Sequence, residues 1–470
     1  MSQKNETVVL LLSFLVTVAL VAAGLWWFTN RSGSNLGSVA EQKGTPNQES
    51  AANQSVIQRI STGEKLLISS ETTEEKQAAA KAIASGNYSE AVAKLEKLRT
   101  VKRNDPETLI YLNNARIGNQ KFYTIAASVP LGKEENPAKE ILRGVAQAQT
   151  EINQKSGIKG IPLKVAIAND GDDKNIAQQV ASNLVKNQDI LGVVGNFSSD
   201  ATLASGKVYE NNQLVLISPT STSVQLSGFS KYVFRTVPSD RFAAAALSRY
   251  MLNKLKKQKA AVFFNSDSNY SKSLKNEFTT ALFGDGGQVV SEFDYYSPNF
   301  NAGESFQQAT KQGAEVLMLA PNSATLDKAL QVVQANNKRL QMLGGDSAYN
   351  PKTLQVGQDG AVGIVLAVPW HILADPQAEF PKAANQLWGN EVNWRTALAY
   401  DATKALIAGI ERNPSREGVQ QALSASDFST VGAAGDIKFL PSGDRNRAVQ
   451  LVTIKAGKRT SFGYEFVPVP

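Results

Sequence analysis

From Lys121 onward the chain repeats one pattern, a short and continuously apolar run followed by a stretch with helical spacing. FYTIAAS, LKVAIAN, ILGVVG and LVLIS are the first four runs, with helices expected to Asn153, through Leu184 and to Tyr209 between them. KAAVFF, QVVSEF, AEVLML and RLQMLG form a second series, separated by helices near 270–282, 303–311 and 325–335. Strands that lack polar alternation must be buried on both faces, and the intervening helices supply the cover. Each series therefore predicts a parallel sheet in an α/β architecture. A break near 218–240 separates the two series and predicts two lobes. After AVGIVLAVPW the pattern gives helices near 381–388 and 394–411 and short strands at IKFL and AVQLVTI. In open parallel sheets ligands sit at the carboxyl ends of the strands, so two such lobes can oppose those ends across a cleft.

A chain of 470 residues has material for two or three compact units and needs no covalent staples. Cysteine is absent, which excludes disulfides, thiolate metal sites, a cysteine nucleophile and a lipid-modified cysteine. The net charge of +7 raises nucleic acid as a partner. The basic residues are scattered, however, and the densest group, Lys254, Lys256, Lys257 and Lys259, reads as the solvated end of a helix just before a strand. No nucleic-acid partner is expected.

The N-terminal part is of another kind. From Thr7 to Phe28 no charge interrupts an apolar run long enough to cross a bilayer as a helix, with Trp26, Trp27 and Phe28 at its far end. We read residues 1–30 as an uncleaved transmembrane anchor, with a cleaved signal peptide ending near Ala22-Ala23-Gly24 as the competing reading. Residues 31–55 are polar and small and read as a flexible linker. Residues 56–118 read as helical, with AAAKAIASGNYSEAVAKLEKL folding about Gly86-Asn87-Tyr88 and a further helix starting at Pro106. The Gly-x-Tyr turn followed by a small residue resembles part of a tetratricopeptide repeat. So short a piece is expected to pack on itself, on the next domain or on a partner, or to act as a plain spacer.

Residues with chemistry cluster where strands end. Asn196-Phe197-Ser198-Ser199-Asp200 follows ILGVVG and leads into a helix, and Pro219-Thr220-Ser221-Thr222-Ser223 follows LVLIS. Hydroxyl residues at helix starts act as caps, and the free amides beside them can hold a carboxylate. Asp240 after FRTVPS, Asp346 after LGG and Tyr270 in the turn after VFFNSDSN stand at comparable places. Hydroxyl and amide donors facing carboxylates suit a zwitterion, although Asp240 is equally readable as a helix cap. Catalysis finds no footing: His371 is the single histidine, and Ser347 in GGDSAY lacks nucleophile-elbow spacing. No phosphate-binding or dinucleotide fingerprint is present, and Asp172-Asp173 reads as a solvated turn rather than a metal site. No catalytic residue, cofactor or metal is assigned.

EINQKSGIKGIPLKV with Asn169-Asp170, then VVGNFSSDATLAS, LVLISPTSTS, FRTVPSD, VFFNSDSNYSKSL, LGGDSAY and ALAYDATKAL occur in an order that resembles the type I periplasmic binding-protein superfamily. The likeness is strongest to its leucine/isoleucine/valine-binding branch and runs from about Phe122 to the C-terminus. It implies two Rossmann-like lobes joined by three crossovers and closing about a hinge. One lobe would take about 121–239 and 370–425, the other about 240–369 and 426–470. The whole would follow the small all-α segment and the N-terminal transmembrane helix. Carried over, Ser198 with Ser199 would donate to the ligand carboxylate. The Ser221 carbonyl would meet the ammonium, and the Thr222 hydroxyl and amide the carboxylate. Asp240 and Asp346 would match acidic positions for the ammonium, and Tyr270 a tyrosine of the second lobe. Ser271 stands where the family often has glycine, and the loop from Pro130 to Pro137 carries Lys133, Glu134 and Glu135. The implied activity is extracytoplasmic binding of an amino acid, or of a urea-like amide or other small solute, for delivery to an ABC-type permease. The alternative is a ligand-sensing receptor or scaffold whose helical segment engages a partner such as a membrane sensor protein.

Overall fold

The apolar runs become strands because each buries both faces. In the computed structural model, which describes residues 55–375 and 377–469, two parallel-stranded sheets form from the two series. The first holds β1 (Ile60–Ser61), β2 (Tyr123–Val129), β3 (Leu163–Asn169), β4 (Ile190–Val194), β5 (Leu216–Ser218) and β6 (Val233–Arg235). Its order is β1-β3-β2-β4-β5-β6, and all neighbours run parallel except the antiparallel pair β1 and β3. The second holds β7 (Lys259–Phe264), β8 (Gln288–Asp294), β9 (Val316–Ala320), β10 (Gln341–Gly344) and β11 (Val365–Val368). A hairpin of β12 (Thr430–Gly432) and β13 (Gly435–Ile437) stands apart, and β14 (Gln450–Ala456) and β15 (Tyr464–Pro468) return to the second sheet. The order there is β15-β14-β11-β10-β9-β7-β8, with β14 and β15 antiparallel at one edge. Burial follows position: central β4 and β9 are buried along their whole length, and edge strand β8 is not.

The helices begin with α1 (Glu74–Ala84), α2 (Tyr88–Val101) and α3 (Pro106–Ile117). In the first lobe follow α4 (Glu135–Gln154), α5 (Lys174–Leu184) and α6 (Ser199–Asn211). The second lobe has α7 (Asp240–Arg249), α8 (Asn269–Gly284), α9 (Ala302–Lys311), α10 (Leu326–Asn336) and α11 (Pro351–Gly357). The chain then returns to the first lobe with α12 (Glu379–Trp388), α13 (Trp394–Arg412) and α14 (Arg416–Ser424). It thus crosses between lobes three times: after β6, after β11 and before β14. The longest helix contact is α4 against α13. Gly144 makes it close, since a Cβ there would lie 2.2 Å from the Thr396 carbonyl oxygen.

Two sequence expectations need adjusting. IKFL supplies only Ile437 to a strand, although Phe439 makes an isolated bridge to Arg445. This region is shaped by the buried Asp401 on α13. Its carboxylate accepts the Ala433 amide at 2.5 Å and pairs with Arg445 at 2.5 Å, while Arg445 also donates to the carbonyls of Ala434, Gly435 and Asp436. The 430–445 stretch is therefore held on the first-lobe helix α13, and a periodicity rule sees none of that. The second adjustment concerns α14 and β15, which are too short and mixed for their patterns to stand out.

The helical segment packs on the next domain. Asn114 on α3 donates to the Val165 carbonyl at 2.7 Å and accepts the Val165 amide at 3.0 Å, filling the open edge of β3. Glu107 is fully buried, accepts the amides of Leu67 and Ile68, and shares Lys76 with Asp105 at 2.9 and 2.6 Å. Ile110, Leu112, Ile125 and Ile141 belong to one continuous core. The anchor expected at residues 1–30, and nearly all of the linker, lie outside the described residues. Among the described residues no helix is long and apolar enough to cross a membrane.

Candidate ligand-binding cleft

The carboxyl ends of the first-lobe strands are tied together by a buried polar network. Asn196, just after β4, donates to Asp170 at 2.7 Å and to Ser128 at 3.0 Å, so the ends of β2, β3 and β4 are locked in register. Ser205 donates to its side-chain oxygen at 2.5 Å and Ser218 at the end of β5 to its carbonyl at 2.9 Å. Burial pushes the Asp170 carboxyl above the usual carboxylate range, and the donors of Asn196 and Ser128 act against that rise. Such fully connected networks fix a unique arrangement. The turn that they support aims α6 at the opposite lobe.

Between the lobes lies a cavity of about 360 Å³. On the first-lobe side are Ser198, Ser199, Asp200 and Thr220. Ser198 caps α6, its hydroxyl accepting the Ala201 amide at 3.2 Å, and Ser199 accepts the Ser223 amide at 3.2 Å. The positive end of the helix dipole and its first-turn amides therefore meet the cavity. Asp172, read from sequence as part of a solvated turn, is instead largely buried in the same wall beside Ser198. Burial is the main reason that its carboxyl is pushed up to about 6.

The second lobe contributes Tyr270 and Asp346, with Asn265, Asn322 and the Tyr295-Tyr296 pair around them. The Tyr270 hydroxyl accepts the Ser347 amide at 3.4 Å, and burial beside Asp346 raises its pKa. The Asp346 carboxyl is pushed up to about 6 by burial, against the favourable charge of Arg395. Across the rim the lobes touch directly, Asn269 giving its amide and side-chain nitrogen to Asp200 at 3.1 and 2.8 Å.

Of the residues singled out from sequence, Ser198, Ser199, Tyr270 and Asp346 line the cavity, and Ser221, Thr222 and Asp240 stand behind it. The Ser221 hydroxyl pairs with Thr202 at 2.7 Å and its carbonyl accepts from Arg235 at 3.3 Å. The Thr222 carbonyl accepts the Asp240 amide at 2.9 Å. Asp240 is buried at the first turn of α7. Desolvation raises its carboxyl to about 7, with the hydroxyls of Ser273 and Thr222 opposing and Asp346 adding to the rise. Thr222 Oγ1 and Asp240 Oδ2 are still left without a well-formed hydrogen bond. Sequence reasoning missed Arg395, Trp394, Lys328 and the Tyr295-Tyr296 pair. The tyrosines follow a strand end and were open to the same rule, whereas nothing in the local pattern points Arg395 inward. His371 does not line the cavity; it is buried edge-on to Tyr349, and desolvation lowers its pKa to about 4. Among the described residues no group of acidic or histidine side chains could hold a metal.

Two α/β lobes, three crossovers and a cavity with polar side chains at the strand ends define a solute-binding protein that holds its ligand between lobes. The chain belongs to the family described as Periplasmic binding protein, whose model matches residues 130–459. It is 24% identical over 298 residues to the Leu/Ile/Val-binding protein of Escherichia coli K12, covering 61% of this chain and 78% of that one. Among solved structures it is similar to an ABC transporter substrate-binding protein from Desulfitobacterium hafniense in complex with Leu. There the TM-score is 0.62 at 22% identity, over 74% of this chain and all of that one. A solute-binding protein from Rhodopseudomonas palustris in complex with 3,4-dihydroxybenzoic acid shares the fold at TM-score 0.63 and 14% identity, over 74% and 96% of the two chains. At family level this is a binding protein and not an enzyme, and the fold alone leaves the ligand undetermined.

Proposed function

We propose that the cleft binds an amino acid outside the cytoplasm and delivers it to an ABC-type permease. The observation that carries this reading is the opposition, in one cavity, of the α6 N-terminus with the Asp346 carboxylate. A ligand carboxylate would sit against the first-turn amides and the Ser198 and Ser199 hydroxyls, its ammonium against Asp346 beside Tyr270. Thr222, Asp240 and Ser221 would hold these contacts in place from behind. The relative that binds Leu, Ile and Val supports the ligand class, and the apolar run at 7–28 would tether the binding unit to the membrane.

A thermal-shift screen of the detergent-solubilised full chain against the common amino acids tests this, because a ligand that binds only the folded state raises the melting temperature. One amino acid class is expected to give a clear shift; none doing so, from folded protein, would remove the reading. With that ligand, Ser198→Ala and Asp346→Asn are each expected to weaken binding by about 1–3 kcal/mol in calorimetric titration, the scale for stranding a buried polar partner. Unchanged affinity in both would disprove the site.

A further inference from the structure

The proposed contacts use the helix terminus and Asp346 but leave a charged group of the cleft without a task. Arg395, the second residue of α13, lines the cavity and is 4% exposed. A guanidinium offers five N–H donors in a planar fork. Here Nη1 donates to the Tyr349 carbonyl at 3.1 Å, and the buried Nε has no acceptor. The guanidinium lies over the Trp394 ring, 4.4 Å from its centre, which fixes its plane without using its donors.

The neighbouring carboxylates do not satisfy it. Asp346, Glu140 and Glu134 act on Arg395 through charge alone, without a hydrogen bond. Glu140 is engaged by Arg143 and by the Thr396 hydroxyl. Glu134 has its pKa raised by burial, with the nearby Ser323 hydroxyl acting against that rise. Asp346 is the group assigned above to the ligand ammonium. The other cations of the cleft are less buried: Lys174 pairs with Asp200 at 3.2 Å, Lys133 is exposed and donates to the Asp172 carbonyl at 3.3 Å, and half-buried Lys328 donates to the Tyr295 carbonyl at 2.5 Å. Arg395 is thus the most buried cation lining the cavity, with donors to spare, and burying such a charge unpaired is unfavourable. A planar fork at the wall of a cavity is matched by a carboxylate, which can accept from it bidentately. Trp394, Tyr295 and Tyr296 give the cavity apolar surface, but a wall made for a branched aliphatic side chain would not also present Arg395, Ser323 and the nearby Glu134.

We infer that the ligand is an acidic amino acid whose side-chain carboxylate pairs with Arg395. This rests on the amino-acid reading of the cleft and adds the chemistry at the far end of the ligand. Aspartate and glutamate are the two candidates, and glutamine is the uncharged isostere of the longer.

The test is calorimetric titration of the detergent-solubilised full chain with glutamate, aspartate, glutamine and leucine. An acidic amino acid is expected to bind, and glutamate to bind at least about tenfold more tightly than glutamine, the scale set by one desolvated ionic contact. In Arg395→Met that preference should collapse to about twofold or less, with the ligand-free melting curve showing that the variant is folded. Arg395→Lys, which keeps a point charge and loses the fork, should keep part of the preference and serves where the methionine variant does not fold. Glutamine or leucine binding the unmodified protein as tightly as either acid would overturn the inference and leave the amino-acid reading standing. So would a glutamate preference that survives Arg395→Met. If no amino acid binds, the reading beneath falls, and the inference falls with it.

Discussion

Asp240→Asn is expected to stabilise the protein at pH 8 by about 2–4 kcal/mol and to leave its stability at pH 4 nearly unchanged. Asp240 is 1% exposed, and desolvation raises its carboxyl to about 7. In the unfolded chain an aspartate titrates near about 3.9. Between those values the folded state holds a proton that the unfolded state has released, so stability falls as pH rises through this window. Below it both states are protonated and the penalty is gone. An asparagine keeps the size and most of the hydrogen bonding and cannot ionise. Urea denaturation of the detergent-solubilised full chain at the two pH values reads the effect directly, provided that the slope against denaturant is unchanged. An equal effect at both would show that the carboxylate charge is not what the site bears. A group that lowers stability at working pH, with one oxygen lacking a well-formed hydrogen bond, fits retention for function beside Asp346.

How far the sequence carried depends on which forces act locally. Strands such as VLMLA at Val316–Ala320 are legible because a central strand buries both faces, and burial shows as an unbroken apolar run. The donors at Ser198 and Ser199 are legible because capping is a rule about neighbours in the chain. Asp346 and Tyr270 follow from strand ends and from family order. Asp172 was misread, since a paired acidic turn looks solvated until the Ser198 turn of the next strand covers it. Arg395 was invisible for a related reason. It starts a helix more than a hundred residues after Tyr270, and only the second crossing of the chain, after β11, fixes which cavity it meets. The 430–445 stretch is set by Asp401 and Arg445, a buried pair with no periodic signature.

The largest effect is expected from shortening the chain. A fragment of residues 55–470 should unfold in one cooperative transition, whereas one beginning at residue 121 should give no cooperative transition at all, by melting curve and by denaturant titration. The helical segment looks from its sequence like a detachable hairpin, yet α3 is buried nearly all round, and its Leu109, Ile110, Tyr111 and Leu112 are each at most 4% exposed. Removing four such side chains exposes their partners as well, at about 1.5–3 kcal/mol each, which already competes with the about 5–15 kcal/mol that holds a whole domain. Polar groups are stranded too. Gln149 loses its bond to Asn114 at 2.8 Å, and both Val165 backbone groups lose the Asn114 side chain. The strand pairing of β1 with β3 goes with them. Lys76, Asp105 and Glu107 leave together, so no unpaired buried charge remains from that triad. If the shorter fragment melted at the same temperature as the longer one, the segment would be a docked accessory and the first lobe would end at β3. A cooperative transition in the longer fragment alone would make residues 55–118 part of the lobe that presents Ser198 to the cleft, and ligand assays would then have to include them.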